Sequence, residues 1–353
     1  MMKHTTLNKA LLGLMFLLLV TSVVSVNATT TTDDTTTEDE TDTTTEDETD
    51  TTSTDNYDDD SNDREVTVTV TPTHAEIESK LQSGGTEDAF KIEVDIDGSV
   101  EFKVQFESEI AANETETEFK VGFDQIVEFI DINDNGVYDD EIDTELQTLE
   151  LSSFEPLAYT TENISGILVH IFDVLTTDGI FGARIYATGD FTNINGSVIA
   201  PTQVKIDVFI HNFNFTESTS QLALQVHIET SLETSFDNQT EDEDEGRAAD
   251  EAAIDVLMTD LNGFFSWKES AEIDGVAHMV NSSIHEVSAT EQEIYLNYPQ
   301  GNEIIHDPKI GFENLLLVAG TSGTNLLASN YLPIIAAVGA IAIIGVIVVA
   351  KRR

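Results

Sequence analysis

The chain has 353 residues and a formal net charge of −52, with 67 acidic residues against 15 basic residues and no cysteine. A field of that sign repels nucleic acid and anionic lipid, so no nucleic-acid partner is expected. The absence of cysteine excludes disulfides, thiol chemistry, cysteine-type zinc sites and iron–sulfur clusters. Stability must therefore come from a hydrophobic core of adequate size, with bound cations as a further source.

The N-terminus has the pattern of a secretory signal peptide. Lys3 and Lys9 precede or border an apolar run over residues 10–20, and small residues follow up to Ala28. A basic start, an apolar stretch of about 7–15 residues and a small-residue end are typical of such peptides. We predict a signal peptide over residues 1–28, cleaved after Ala28, with an uncleaved anchor helix as the alternative.

An acidic, low-complexity segment follows over residues 29–64. It is almost wholly Thr, Asp, Glu and Ser, and it contains the octapeptide TTTEDETD twice in succession. A segment with so few apolar residues buries too little surface to offset the entropy of ordering. The sequence therefore predicts a disordered, extended spacer here.

From Glu65 onward, apolar and polar residues alternate with a period of two, which is typical of half-buried strands. Asp97-Gly98 and Asp178-Gly179 separate pairs of such runs, as the turns of antiparallel hairpins do. The sequence predicts an all-β ectodomain over residues 65–319, an antiparallel β-sandwich or two in tandem. The best helix candidate is 248–261. The predicted strands are 65–70, 90–94, 100–106, 118–132, 146–151, 168–175, 181–186, 204–213, 222–228, 264–272, 284–287, 293–296 and 315–318.

The C-terminus has the pattern of a membrane anchor. Residues 331–350 carry no charge, and the basic tail 351–353 follows at once. About 20 apolar residues span a bilayer as a helix, and basic residues stay on the cytoplasmic side. We predict a juxtamembrane linker over 320–330, one transmembrane helix over 331–350, and a single-pass type I protein of the cell membrane whose ectodomain is extracellular. A lipid-anchor tail and a sortase-type tail are the alternatives; the closing basic residues disfavour the first and the sequence of 332–335 disfavours the second.

The segment DINDNGVYDDEID, residues 131–143, carries oxygen-bearing side chains at alternating positions around Gly136. Ca²⁺ takes about 6–8 hard oxygen ligands, and calcium loops supply them from alternating positions with a glycine at the sixth. Val137 would offer its backbone carbonyl, and Asp139 would bind directly or through water. The predicted metal ligands, for calcium in a structural role, are Asp131, Asn133, Asn135, Val137, Asp139, Glu141 and Asp143.

The twelfth position of the loop departs from the calcium pattern. Ile142 stands where a bidentate acid is expected, so Glu141 or Asp143 would have to replace it through a changed backbone. Asn135-Gly136 is also a strong type I′ turn signal, so an ordinary hairpin turn is the alternative reading.

Asn-X-Ser/Thr sequons, which predict a glycoprotein, occur at Asn27, Asn113, Asn163, Asn195, Asn214, Asn238 and Asn281.

The loop resembles the D-x-N-x-N-G-x-Y-D calcium loops of extracellular prokaryotic proteins and, more loosely, the loops of the EF-hand and dockerin families. The order of signal, Thr/Asp/Glu-rich segment, cysteine-free β domain, calcium-type loop, apolar helix and basic tail resembles archaeal membrane-anchored cell-surface proteins. That resemblance implies an envelope location and no particular activity.

These features predict a cell-surface structural or adhesion protein, or one associated with the cell envelope, with surface-layer or other envelope components as partners. No catalytic residue is predicted, because the sequence has no nucleophile elbow, no His-Glu-x-x-His and no phosphate-binding glycine loop. An extracellular solute- or glycan-binding module is the first alternative, and an exposed row of aromatic side chains would favour it. A secreted hydrolase is the second, and it would need converging acids, or an acid and a histidine, in a cleft.

Overall fold

A computed structural model describes residues 51–57, 63–83, 86–110, 113–230, 235–239, 250–258 and 262–312. Several predictions lie outside these residues: the signal peptide, most of the acidic segment, the strand at 315–318, the linker, the transmembrane helix and the basic tail. Within the described ranges, no helix is long and apolar enough to cross a membrane.

The regular secondary structure of the described part of the chain consists of β-strands alone. In chain order the strands are β1 (Thr51–Tyr57), β2 (Asp63–Val70), β3 (His74–Ser83), β4 (Thr86–Asp95), β5 (Val100–Ile110), β6 (Asn113–Ile130), β7 (Thr144–Glu150), β8 (Ala158–Ile164), β9 (Ile167–Leu175), β10 (Phe181–Thr188), β11 (Thr192–Ile194), β12 (Ser197–Ile199), β13 (Gln203–His211), β14 (Gln221–Thr230), β15 (Ser235–Gln239), β16 (Glu251–Leu257), β17 (Asn262–Lys268), β18 (Ser270–Ile273), β19 (Val276–Met279), β20 (Asn281–Ser288), β21 (Glu291–Tyr298), β22 (Glu303–His306) and β23 (Pro308–Phe312).

The strands form two large antiparallel sheets and one small hairpin. The first sheet runs β1-β2-β3-β4-β5-β6-β14-β21-β20, and β7 also pairs with β6. The second sheet runs β15-β16-β17-β23-β13-β10-β9-β8, with β22 on β13, and β18 joining β22 to β19. The third is the β11-β12 hairpin. The predicted all-β, antiparallel fold is therefore confirmed for the described residues.

Buried residues from both large sheets belong to one hydrophobic cluster. Phe312 of the second sheet packs edge-on against Phe119 and Phe90 of the first, with ring centroids 5.5 and 6.1 Å apart. Phe123 and Phe181 make a similar contact at 5.9 Å. The two sheets thus share a core, an arrangement consistent with a single β-sandwich in the part of the chain that the structure describes.

Both Asp-Gly turns lie where the sequence predicts them. Gly98 has φ +89° between β4 and β5, and Gly179 has φ +71° between β9 and β10. These strand pairs are antiparallel and in register across the turns. Glycine adopts a positive φ without the steric penalty that other residues incur, which is why these turns could be predicted.

The helix predicted over residues 248–261 is wrong. Residues 251–257 form β16, which is paired with β15 on one side and β17 on the other. Ala252, Ile254 and Val256 belong to the common core at alternate positions, as a strand requires. Alanine and leucine favour a helix, but pairing within the sheet overrides that weak preference.

Residues 51–57, at the C-terminal side of the acidic segment, belong to the first sheet. They form β1 and pair with β2 from Thr51 opposite Val70 to Tyr57 opposite Arg64. An edge strand takes its backbone hydrogen bonds from its neighbour, and threonine is a good strand former. Composition alone does not detect this kind of order, because it measures only the apolar surface that side chains could bury.

Candidate metal centre

Residues 131–143 connect β6 to β7, and their own side chains hold the loop in shape. Asp131 accepts hydrogen bonds from the backbone N–H groups of Asn135 at 3.3 Å and Gly136 at 2.7 Å. Asn133 Oδ1 accepts from Asn135 N at 3.0 Å, and Asn135 Oδ1 accepts from Val137 N at 2.9 Å. The first half of the loop is therefore wrapped around the oxygens of the residues predicted as ligands.

Asp143 closes the second half of the loop. Its Oδ1 accepts from Ile132 N at 2.9 Å, and its Oδ2 accepts from Asp139 N at 2.9 Å. The backbone turns through Asp139, whose carbonyl accepts from Ile142 N at 3.1 Å and from Asp143 N at 2.8 Å. This turn brings the carboxylate of the thirteenth residue back to the start of the loop.

The structure distinguishes the two candidates for the missing twelfth ligand. Glu141 is exposed, and its backbone N–H donates to Asp139 Oδ1 at 3.0 Å. Ile142 is 49 % exposed. Asp143, in contrast, is half-buried and binds both ends of the loop. Of the two acids, Asp143 occupies the position from which a carboxylate could complete a metal site.

A two-residue type I′ turn at Asn135-Gly136 is not present. Such a turn needs positive φ at both central residues, whereas the positive values here belong to Asp134 at 57° and Gly136 at 77°. The strands also end at Ile130 and resume at Thr144, so the connection is a long loop. A two-residue turn is therefore excluded, and β6 and β7 pair as a hairpin that is joined by a loop whose own side chains hold its shape.

Three polar side chains from β20 and β21 fix the loop to the first sheet. Asn297 Oδ1 accepts from Tyr138 N at 2.9 Å, and Ser283 Oγ donates to Tyr138 O at 3.1 Å. Asn281 Nδ2 donates to Gly136 O at 3.2 Å. The sequence gives no signal for these contacts, because the partners lie far apart in the chain and meet only through sheet pairing.

Tyr138 inserts its ring between the loop and the sheet. It is 5 % exposed, and its ring centroid lies 5.2 Å from that of Phe129 and 5.1 Å from that of Tyr295. Burial, followed by the nearby Glu145 carboxylate, raises the pKa of Tyr138 to about 12. The hydroxyl accordingly stays protonated at neutral pH and donates to Glu145 Oε2 at 3.3 Å.

The predicted ligands are suited in chemistry to a hard cation. Asp131 and Asp143 each accept two N–H bonds, and an ionised carboxylate has about four acceptor positions, so both retain capacity for a metal. An oxygen-only donor set matches Ca²⁺ and not the softer transition metals. Among the described residues, no three His, Asp or Glu side chains converge on a metal position by themselves. Amide and carbonyl oxygens would therefore have to complete the coordination.

The described aromatic side chains do not form an exposed platform. Each one is buried or half-buried, and the single tryptophan, Trp267, is 2 % exposed inside the core. Stacking against sugars or other flat solutes needs an exposed ring. The described surface thus lacks the row of exposed aromatic side chains that would favour the glycan-binding alternative.

The chain matches no protein-family model, and no curated protein matches it at a significant level.

Proposed function

We propose that this chain is a membrane-anchored cell-surface protein with a structural, adhesive or envelope-associated role, and that loop 131–143 binds Ca²⁺. The observation that supports the metal proposal is the carboxylate of Asp143, which accepts from Ile132 N and Asp139 N and so lies beside the start of the loop. The surface location rests on the apolar segments at the two ends of the sequence and on the acidic composition between them.

Calcium at this loop would act as a clamp. The loop is bonded to β21 through Asn297 and to β20 through Asn281 and Ser283, while its ends continue into β6 and β7. A cation bound to the loop would also offset the mutual repulsion of the loop's carboxylates in a chain of net charge −52. The expected result is a stiffer end of the first sheet, not a catalytic centre.

Unfolding of the full chain in detergent tests the calcium proposal. Melting is measured by calorimetry with calcium, with magnesium and with a chelator, at constant ionic strength. A ligand that binds only the folded state stabilises it by about 2.7 kcal/mol at a concentration of 100 Kd. We expect a calcium-specific rise in melting temperature that Asp131→Ala with Asp139→Ala abolishes.

Asp140→Ala is the matched control for that experiment, because Asp140 lies in the same loop, is exposed and carries the same charge. It should retain the calcium-specific rise. Equal melting in all three media, or an equal loss in the Asp140→Ala variant, would refute a specific site and leave only general screening of charge.

Protease protection tests the proposed topology. Intact cells that carry the full chain with an epitope after Arg353 are treated with an external protease. We expect the acidic segment and the β domain to be digested and the C-terminal epitope to be protected until the membrane is opened. Digestion of the epitope in intact cells would contradict the proposed orientation.

A further inference from the structure

Lys205 lies on β13 and is buried completely, although lysine is among the residues that proteins bury least. Its side chain is on the strand face opposite Val204 and Ile206, which belong to the common core. Its Nζ lies 3.2 Å from Asp307 Oδ1 and contacts Asp207 Oδ1. Lys205 therefore lies between two carboxylates and has no exposed surface of its own.

The pairing of β13 accounts for this arrangement. β13 pairs with β22 up to Val208 opposite His306, and with β23 from Lys205 opposite Lys309. Asp307 is the single residue between β22 and β23, so the ladder holds its backbone next to β13. Its side chain is 30 % exposed, whereas that of Asp207 is 9 % exposed.

A third group completes the cluster. Tyr186 on β10 is opposite Lys205 in the ladder. Its hydroxyl donates to Asp207 Oδ2 at 3.0 Å, and Lys205 Nζ lies 5.5 Å from its ring centroid. The cluster thus contains an amine, two carboxyl groups and a phenol hydroxyl, held by three neighbouring strands.

The burial of Lys205 favours its reactive form. Desolvation lowers the pKa of Lys205, and this effect outweighs the opposing attraction of Asp307. A desolvated lysine that transfers its proton to a carboxylate becomes a neutral amine, which is a nucleophile. An amine held against a carboxyl group also has a high effective concentration, which makes condensation feasible without an activating cofactor.

We propose that Lys205 and Asp307 condense to form an intramolecular isopeptide bond. Lys205 first transfers a proton from Nζ to the Asp307 carboxylate, and the neutral Nζ then attacks Asp307 Cγ; the N–C bond forms, the C–OH bond breaks and one water molecule leaves. Asp207, in contact with Nζ, takes the proton from the attacking nitrogen and returns it to the departing hydroxyl. The exposed part of Asp307 gives the released water a path to solvent.

The bond would connect β13 covalently to the junction of β22 and β23. In a chain without cysteine, it would provide the cross-link that disulfides provide in many extracellular proteins. No redox change is involved, and no group outside the described residues is needed. The reaction depends only on the fold having brought the three side chains together.

Peptide mapping of the full chain tests the proposal directly. Trypsin together with a glutamate-specific protease is used, and the peptides are analysed by mass spectrometry. If the bond is present, Lys205 is not cleaved, and peptide 185–217 is joined to peptide 304–309 with the loss of one water. Recovery of free peptides 185–205, 206–217 and 304–309, without the joined species, overturns the proposal.

Variants identify the two ends of the bond. Lys205→Arg and Asp307→Ala should each abolish the joined peptide. Lys309→Arg is the matched control, because Lys309 lies opposite Lys205 and the change preserves the trypsin site; it should leave the joined peptide unchanged. A loss of water confined to peptide 185–217 would place the bond on Asp207 and refute the assignment to Asp307.

Proton transfer by Asp207 has its own readout. Asp207→Asn keeps the side-chain shape but carries no exchangeable acid proton, so the joined fraction should fall at least tenfold. Asp207→Glu should restore part of it. Circular dichroism melting of each variant separates a loss of reaction from a loss of folding, and a full yield in folded Asp207→Asn would refute this role.

Discussion

The carboxylate of Asp143 accepts a hydrogen bond from the backbone N–H of Ile132, eleven residues earlier in the chain, at 2.9 Å. The same carboxylate accepts from Asp139 N at 2.9 Å, so one side chain ties the start of the loop to its final turn. Glu141, the other acid considered for this role, is exposed. The geometry therefore ranks two acids that the sequence leaves equivalent.

Asp143→Ala is expected to lower the free energy of unfolding by about 1–3 kcal/mol even in chelator, because two N–H groups lose a charged acceptor. Glu141→Ala removes the same charge from an exposed position, and we expect a change within about 0.5 kcal/mol. Urea denaturation of both variants is the measurement. An equal cost in the two would mean that the Asp143 hydrogen bonds contribute little to stability.

Asn297 is the residue that connects the loop to the sheet, and it is 2 % exposed. Its Oδ1 accepts from Tyr138 N, while its Nδ2 donates to Asn281 O at 3.1 Å and Tyr295 O at 2.9 Å. All three bonds are to backbone groups, so they do not depend on the conformation of other side chains.

Asn297→Leu is expected to cost about 1–3 kcal/mol per buried polar group left without a partner. Asn297→Asp keeps an acceptor for Tyr138 N but places negative charge against two carbonyl oxygens, so it should also destabilise the protein. Chemical denaturation gives the cost, and amide hydrogen exchange at Tyr138 reports whether the loop has detached. A stable Asn297→Leu variant with protected Tyr138 N–H would show that other contacts suffice.

The elements that were predicted correctly share one property, which is that their signal is local. Alternation in residues 90–94 and 100–106 around Asp97-Gly98 depends on neighbouring residues alone, and the strands are present there. β16 was missed because its helix-favouring residues are paired on both sides by strands that the sequence does not reveal as neighbours.

The candidate site shows the same limit. The residues of loop 131–143 that we propose as ligands could be singled out from the sequence because their spacing is local. Asn281, Ser283 and Asn297 could not, because only the pairing of β20 with β21 and of β21 with β14 brings them to the loop. The Lys205 cluster also depends on strand pairing, since Asp307 is distant in sequence and adjacent only through β13.

Two features of the structure favour glycine at position 136. Its φ is +77°, and a Cβ added there would lie 2.4 Å from Asn281 Nδ2. Gly98 has a similar φ of +89°, but a Cβ there would meet nothing within 4 Å. Comparing the cost of alanine at Gly98 with its cost at Gly136 therefore separates the energy of backbone strain from the energy of the contact with Asn281.

Gly98→Ala should cost about 1–2 kcal/mol, which is the penalty of a left-handed conformation for a residue with a Cβ. Gly136→Ala should cost more than Gly98→Ala, and adding Asn281→Ser should recover the excess. Thermal melting of the two single variants and the double variant measures this. If Gly136→Ala and Gly98→Ala lower the stability by the same amount, the contact with Asn281 does not contribute to the cost of a side chain at position 136.

Glu128 on β6 is a carboxylate with no exposed surface. It accepts from Thr216 N at 2.8 Å, Ser220 Oγ at 2.5 Å and Gln147 Nε2 at 2.7 Å, and so anchors the turn before β14 to β6. Burial alone would raise the pKa of Glu128, but the hydrogen bonds from Ser220, Thr216 and Gln147 together hold it below its ordinary value.

Because the pKa of Glu128 is lowered in the folded state, its contribution to the free energy of unfolding increases with pH. The folded state binds the Glu128 proton less readily than the unfolded state does, so the stabilisation is present above the ordinary glutamate pKa of about 4.3. It is lost as the pH falls through that value and then through the lower folded-state pKa. Glu128→Gln should be less stable than the natural chain by about 1–3 kcal/mol at pH 7, because an amide donor would face the existing donors.

Urea denaturation between pH 3 and pH 7 gives the free energy of unfolding of the natural chain and of Glu128→Gln. The difference between the two values isolates the contribution of Glu128, because the other acids contribute equally to both. That difference should shrink as the pH falls below about 4.3. Glu150→Gln on β7 is the control, because Glu150 is exposed. Its free energy of unfolding should differ from that of the natural chain by the same amount at every pH. A difference for Glu128→Gln that stays constant across the range would mean that Glu128 does not change its protonation there, and that its role is only one of shape.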